Sequence, residues 1–348
     1  MSAWFTVAVS PKVGSLAAVT STLASAGIAV EGVMGAPEAD GSLHLGVPDA
    51  QLPAAIAALT TLGLHPITEE SDPPMTARTL RIATWNVNGL RARAERVAAW
   101  LDAAQPDIVL LQETKCDPSQ IPEGLFSTRS YEVAALGAGG RNGVLIASRH
   151  GLADVQESIA DYAPQGSDAT LPDLLSEPRL LSAVCGGLRV ASVYAPNGRE
   201  VDAPHFHAKL HWYGALRAWS AARIAEPAPL LLGGDFNVAP TDADVWDPAA
   251  LVGATHVTPR ERDAWNALVD LGLLDAAQAV AADGERAPFT WWDYRGGAFH
   301  RGWGMRIDHL LVESRAGALV TSSVDRDGRK GESPSDHAAL TIDVARPA

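Results

Sequence analysis

Six short fragments carry residues of the kind that bind phosphate or a hard cation. They are Asn86 and Asn88 in "WNVNG", Glu113 in "LQETKC", Tyr194 and Asn197 in "VYAPNG", Asp235 and Asn237 in "GGDFN", Asp308 in "RIDHLL", and Asp336 with His337 in "PSDHA". Carboxylates and amides make an oxygen-rich donor set, which suits Mg²⁺ or Mn²⁺ rather than a thiolate-seeking metal. Acting on a phosphate ester, such a set could order a water, stabilise added negative charge and help a departing oxygen. Each fragment also has an ordinary structural explanation. Asn-Gly at 88–89 and 197–198 is common turn chemistry. A lone Glu after a strand is most often solvated, and an Asp-His pair can cap a turn. What joins the fragments is their recurrence at the end of strand-like runs.

The runs that must position them are "LRIATWNV", "DIVLLQE", "GVLIAS", "LRVASVYA", "PLLLGGDFN", "RIDHLLV" and "AALTIDV", rich in Val, Ile, Leu and Ala. Between them "RARAERVAAWLDAA", "HAKLHWYGALRAW" and "RDAWNALVDLGLL" have helical spacing. Asn86 and Asn88, like Asp235 and Asn237, stand two apart and so point the same way from an extended chain. Many strands with polar residues at one end imply sheets packed face to face and flanked by helices. No repeat of 20–50 residues and no low-complexity segment interrupts the pattern.

The chain has 348 residues, 47% hydrophobic and 20% charged, a globular composition long enough for two domains. No apolar run approaches the roughly 18 residues of a membrane helix, and the start lacks the layout of a secretory signal. Two cysteines, Cys116 and Cys185, argue against a disulfide framework and for a reducing cytoplasm, beside the nucleoid in a bacterium. A net charge of −14 speaks against a nonspecific nucleic-acid coat, but not against an enzyme that meets phosphate through a cation and a local basic face.

Composition changes in "TEESDPPMTAR", so residues 69–78 are expected to be a linker between an appendage at 1–68 and a main domain at 79–348. Residues 1–74 carry one base against seven acids, a balance of −6, which leaves −8 for the rest. Within the appendage "WFTVAV", "IAVEGV", "SLHLGV" and "LHPI" read as strands. Leu16, Val19 and Leu23, with Ser15 as N-cap, make one helix, and Leu52, Ile56 and Leu59, closed by Gly63, make another. This order is the ferredoxin-like α+β unit. The stretch "PKVGSLAAVTSTLASAGIAVEGV" resembles the opening of ACT domains, which implies an amino-acid ligand or dimerisation. An inert α/β appendage is the equal alternative.

Fragments from the main domain, in their order and wording, resemble the exonuclease III family of abasic-site endonucleases, within the deoxyribonuclease I-like endonuclease/exonuclease/phosphatase superfamily. "WNVNG", "QE", "GDFN" and "SDH" carry the wider likeness. "NGLRAR", "QETK", "VYAPNG", "FTWWDYRGGAF" and "RIDHLL" carry the narrower one, over roughly residues 79–345. The resemblance implies a four-layered α/β sandwich and hydrolysis of DNA phosphodiesters at abasic sites or 3′ ends of double-stranded DNA.

It also implies roles. Glu113 and Asn88 hold Mg²⁺ (Mn²⁺ as the alternative), with Asp336 as a second acidic contributor and Asp235 and Asn237 also at the metal site. Asp235 orients or deprotonates the attacking water, and Asn86 holds Asp235. Asn237 and Tyr194 contact the phosphate, as does His337, whose ring Asp308 supports. Arg91, Arg93, Arg141, Asn142, Asn197 and Arg199 are candidate DNA contacts, together with Arg306, Arg329 and Lys330. Trp291, Met305 and Ile307 wall the pocket for an extruded abasic sugar, while Trp292 is core. Met305 and Ala339 depart from residues common in the family at those positions. Two other readings stay open: a phosphatase or lipid phosphodiesterase of the same superfamily, and a DNA-binding regulator governed by its appendage.

Overall fold

The structure, a computed structural model, describes residues 2–9, 14–34, 42–64, 66–69, 79–165, 170–282 and 285–346. The chain forms two compact units that part between Arg78 and Thr79.

In the smaller unit the elements run β1 (Ser2–Ala8), α1 (Ser15–Ser25), β2 (Gly32–Met34), β3 (Ser42–Pro48), α2 (Leu52–Thr61) and β4 (Ile67–Glu69). The sheet order is β2-β3-β1-β4 and every pairing is antiparallel. Alternation along the strands sends Phe5, Val7, Leu43, Leu45 and Val47 to one face, where Val19, Leu23, Ala55 and Leu59 of the helices cover them. Four local expectations change. The cap of α1 is Gly14, whose φ of 93° suits glycine, and Ser15 is the first helical residue. Leu16 is exposed, and Ala55 rather than Ile56 is fully buried on α2. Glu69 pairs with Trp4 in β4, so the expected linker begins one residue too early, and its residues 70–78 lie outside the described residues.

In the larger unit the strands are β5 (Thr79–Asn86), β6 (Ile108–Gln112), β7 (Glu132–Leu136), β8 (Val144–Ser148), β9 (Ala153–Gln156), β10 (Leu180–Cys185), β11 (Leu188–Tyr194), β12 (Leu230–Asp235), β13 (Leu273–Asp275), β14 (Trp291–Trp292), β15 (Gly304–Met305), β16 (Asp308–Glu313), β17 (Ala318–Val324) and β18 (Leu340–Ala345). The principal helices are α3 (Ala94–Ala104), α4 (Pro204–Ile224) and α5 (Pro259–Val269). Two six-stranded mixed sheets result, ordered β17-β18-β5-β6-β8-β7 and β13-β16-β12-β11-β10-β9. Their inner faces meet through Ile82, Ile108, Leu110 and Ile146 against Leu181, Val190, Leu231 and Leu310. The outer face of the first sheet packs on Val97, Trp100 and Leu101 of α3. That of the second packs on Trp212, Leu216 and Trp219 of α4 and Trp265 and Leu268 of α5. The order helix, sheet, sheet, helix gives the four-layered α/β sandwich.

The expected helix "RDAWNALVDLGLL" ends at Val269. Gly272, at φ 91°, turns the chain and Leu273 and Leu274 become strand β13. Cys116 and Cys185 are both buried free thiols. Among the described residues no helix is long and apolar enough to cross a membrane.

Candidate active site at the strand ends

Pairing registers bring the polar fragments to one end of both sheets. β5 and β6 are parallel, with Asn86 opposite Gln112, so Glu113 emerges beside Asn86. β11 and β12 are parallel, with Tyr194 opposite Asp235, and β16 runs antiparallel to β12 with Asp308 opposite Asp235. Two glycines precede Asp235 because the sheets leave no room for a side chain there. A Cβ on Gly233 would stand 2.5 Å from Leu110 of the facing sheet, and one on Gly234 would stand 1.8 Å from the Val193 carbonyl oxygen. Just past the strand ends Asn88, Glu113, Lys115 and Asn237 all have left-handed backbones, at φ 47°, 49°, 52° and 52°. Non-glycine residues rarely hold this conformation, and its clustering here accompanies a dense hydrogen-bond network.

At the centre the Asn86 amide donates to Asp235 Oδ2 and to Glu113 Oε1, both at 2.9 Å. The other oxygen of Asp235 accepts from the Asn237 backbone N–H at 3.0 Å. His337 Nδ1 is 2.8 Å from Asp308 Oδ2, and His337 Nε2 is 3.8 Å from Asp235 Oδ2. The Asn237 amide donates to the Ala195 carbonyl at 2.9 Å and its oxygen lies 3.3 Å from Asn197 Nδ2. Asn88 donates to Asp336 Oδ1 at 2.9 Å, and Trp291 Nε1 reaches Asp336 Oδ2 at 3.1 Å.

Burial sets the protonation states. It pushes Asp235 up to about 7, the His337 cation working against it and the Asp308 carboxylate with it. Burial alone would lower His337, but the Asp308 and Asp235 carboxylates outweigh it and raise the ring to about 10. A protonated imidazole is a donor and a poor metal ligand. For Glu113, burial is overcome by the Asn86 amide and the Lys115 ammonium, which hold it below its ordinary range. Burial, with the Glu113 and Asp235 carboxylates, keeps the Tyr194 hydroxyl protonated well above its usual value.

Among the described residues Glu113, Asp235 and His337 form the one group whose ligand atoms all lie within 4.8 Å of one another. The donor chemistry fits a hard cation on the Glu113 side. Lys115 Nζ already bridges Glu113 Oε2 at 2.7 Å and Asn88 Oδ1 at 2.5 Å, so these two oxygens accept positive charge between them. Asp336 lies outside this group, its two oxygens engaged by Asn88 and Trp291. Lys115 had no assigned role in the sequence, although it stands two residues after Glu113 in "QETK".

The expected DNA contacts divide. Arg141 and Arg199 are exposed beside Asn142, Tyr194 and Asn197 in a cleft of about 320 Å³. Asn142 itself is buried and donates to Glu177 at 3.0 Å. Arg91 is exposed, whereas Arg93 folds back to donate to the Asn88 carbonyl. Lys330 is exposed in an ion pair with Asp327. Arg306 and Arg329 are not surface groups. Arg306 is buried between Asp244 Oδ1 at 2.6 Å and Asp275 Oδ2 at 2.5 Å, and Arg329 is buried on the carbonyls of Ser335 and Trp292. Met305 and Ile307 are buried in a small cluster with Val245, against which the half-buried Trp291 packs, and Trp292 is core.

A family model described as the endonuclease/exonuclease/phosphatase family matches residues 83–337. Exodeoxyribonuclease III of Haemophilus influenzae is 29% identical over 273 residues, covering 75% of this chain and 98% of its own. A 3′ phosphatase from Neisseria, solved bound to a product DNA hairpin, is 36% identical with a TM-score of 0.70, covering 76% of this chain and 99% of that one. An AP endonuclease from Archaeoglobus fulgidus is 32% identical with a TM-score of 0.69, covering 76% and 98%.

Proposed function

Because the chain belongs to the endonuclease/exonuclease/phosphatase family and is a hydrolytic DNA-repair nuclease, we propose that it cleaves phosphodiesters of double-stranded DNA at abasic sites and 3′ ends with the help of Mg²⁺. The observation that carries this reading is the convergence of Glu113, Asp235 and His337, with the Asn86 amide bridging the two carboxylates. Glu113 and Asn88 would hold the cation, which when bound supplies Lewis-acid stabilisation of the phosphate's added charge. Mn²⁺ satisfies the same oxygen donors.

Asp235 accepts the proton of the attacking water. Its two anchors, Asn86 and the Asn237 backbone, fix the direction of its lone pairs, and a carboxylate poised near neutrality suits general-base work. His337, charged and steadied by Asp308, donates to a phosphate oxygen. Tyr194 keeps its proton and so serves as a second donor. The Asn237 amide spends one N–H on Ala195 and keeps the other for the phosphate. Arg141 and Arg199 meet the backbone of the DNA.

Synthetic duplexes bearing an abasic site, a recessed 3′ end or a 3′ phosphate, incubated with and without Mg²⁺ and resolved on a gel, test the proposal. Mg²⁺-dependent cleavage of the first two is expected, and no cleavage of any of the three overturns it. For the smaller unit, the β-α-β-β-α-β order and antiparallel sheet support an ACT-like appendage that takes an amino acid or pairs with a second copy. A thermal-shift screen against amino acids, with sedimentation, tests that assignment, and neither a shift nor a dimer would favour an inert appendage.

A further inference from the structure

Beneath the catalytic loops lies a lysine that touches none of the reacting groups. Lys209, on α4, is fully buried, and so is Glu261, its partner on α5. Lys209 Nζ has three donors and spends all of them: on Glu261 Oε1 at 2.5 Å, the Asn237 carbonyl at 2.7 Å and the Asn197 carbonyl at 3.3 Å. One turn further along α4, the Tyr213 hydroxyl donates to the neighbouring carbonyl of Phe236. The loop carrying Asn237 is therefore held by two donors of a single helix face.

The Glu261 carboxylate is as fully used. Its Oε1 also accepts from Thr255 Oγ1 at 2.8 Å and the His256 N–H at 2.9 Å, and its Oε2 from the Thr258 N–H at 3.1 Å and hydroxyl at 2.7 Å. Thr258 and Glu261 form the capping box that starts α5, so a helix-start signal has been recruited to neutralise a buried cation. Gly198, at φ 87°, lies against the lysine stem, where a Cβ would stand 3.0 Å from Lys209 Cδ.

We propose that Lys209 and Glu261 are a positioning pair: they lock the loops of Asn197 and Asn237 to one another and to α5, and so set the phosphate-facing amide of Asn237 for turnover rather than for DNA capture. The physical reason is geometric. Asn197 and Asn237 leave two parallel strands by separate turns. The Asn237 amide ties the turns at the Ala195 carbonyl and at Asn197 Nδ2, while among the described residues Lys209 alone holds the backbone carbonyls of Asn197 and Asn237 together. Drift of either loop would move the Asn237 amide off the phosphate, and a misplacement of about 1 Å can cost on the order of a hundredfold in rate. The effect on turnover rests on the nuclease reading above, while the locking of the loops does not.

The test uses the full chain with Lys209→Met, the double variant Lys209→Met/Glu261→Gln, and Leu268→Ala as a control. The double variant removes both buried charges together and so guards against simple unfolding. Leu268 is fully buried on α5 and belongs to the outer core. Two readouts are taken: kcat and KM on the cleaved duplex, and amide hydrogen exchange of residues 195–199 and 236–239. The folded double variant is expected to lose about tenfold or more in kcat with KM changed by less than about threefold, and to exchange faster in both loops. Leu268→Ala should lower the melting temperature with neither effect. Wild-type kcat and unchanged exchange in the folded double variant would overturn the proposal. So would an equal kcat loss in Leu268→Ala at the same melting temperature. Should the wild type cleave none of the duplexes, the nuclease reading fails and the exchange measurement still decides whether the pair locks the loops.

Discussion

His337 and Asp308 stand 29 residues apart in the chain, yet Nδ1 of the imidazole lies 2.8 Å from Asp308 Oδ2 with both side chains buried. The contact arises because Asp308 opens β16 opposite Asp235, while His337 is tied by a backbone bridge to Trp291. It orients the ring and supports its charge. Asp308→Asn should therefore lower kcat and pull the loss of the imidazole's proton down from about 10 toward the ordinary range. A pH–rate profile whose alkaline limb does not move would contradict this.

The position of Asp235 yields a paired expectation about activity and stability. Asp235→Asn should remove about 10²–10⁴ of the cleavage rate, the usual contribution of a positioned base, while leaving DNA binding intact. Burial raises the folded-state value to about 7 from an ordinary 3.8. Such a group contributes stability that is fully present below the unfolded value and is lost as pH rises through about 7. Hence Asp235→Asn should melt higher than wild type at pH 8, with the difference shrinking towards pH 4. Melting curves across that range read it directly, and a difference independent of pH would sink the assignment.

Lys115 occupies the seat between Glu113 and Asn88 as their counter-charge. Without added metal, Lys115→Met should destabilise the protein, because Glu113 loses a cation that holds it ionised. Adding Mn²⁺ should restore most of the melting temperature. Glu113→Gln should weaken Mn²⁺ binding by tenfold or more in a paramagnetic-resonance titration, and chelation should abolish cleavage. Unaltered Mn²⁺ affinity in Glu113→Gln would place the cation elsewhere.

Arginines chosen from the sequence as DNA contacts should separate by burial. Arg306 is held by Asp244 and Asp275 inside the fold, so Arg306→Met should cost about 3–5 kcal/mol of stability, the usual penalty for stranding buried charges. Arg141→Ala and Arg199→Ala should leave stability nearly unchanged. Each should weaken DNA binding and reduce the slope of log affinity against log salt by about 1. Denaturant melts and salt titrations distinguish the two classes.

Strand-end polar residues were legible in the sequence because a strand's period and its closing polar group are local properties. Asn86, Glu113, Asp235 and His337 were all named from their fragments, and the face-to-face packing of sheets followed from many strand-like runs with polar residues at one end. Less legible were β7, β9, β10, β13, β14, β15 and β17, none of them among the strand-like runs; the short ones, β9, β13, β14 and β15, are made strands by pairing rather than propensity. Arg306 was misread because its spacing from Asp308 says nothing about the carboxylates of Asp244 and Asp275 that come to it from elsewhere. Lys209 was missed entirely. On a helix a lysine ordinarily marks the solvated side, and the only nearby sign was the Thr258-to-Glu261 capping box, which announces a helix start and nothing more.

What the amino-acid sequence determined by itself was therefore the inventory: which donors exist, that they lie at strand ends, and that adjacent pairs share a side of the chain. Tertiary structure alone decided which of them meet. Asn86 touches Asp235 across 149 residues, and His337 Nε2 comes within 3.8 Å of the same carboxylate oxygen. Those distances depend on sheet register and on how closely two sheets approach at Gly233, quantities set by the packing of many residues at once. The same packing sets charge. Burial and neighbouring charges move Asp235 and His337 far from their ordinary values, and neither burial nor neighbours can be read from a fragment.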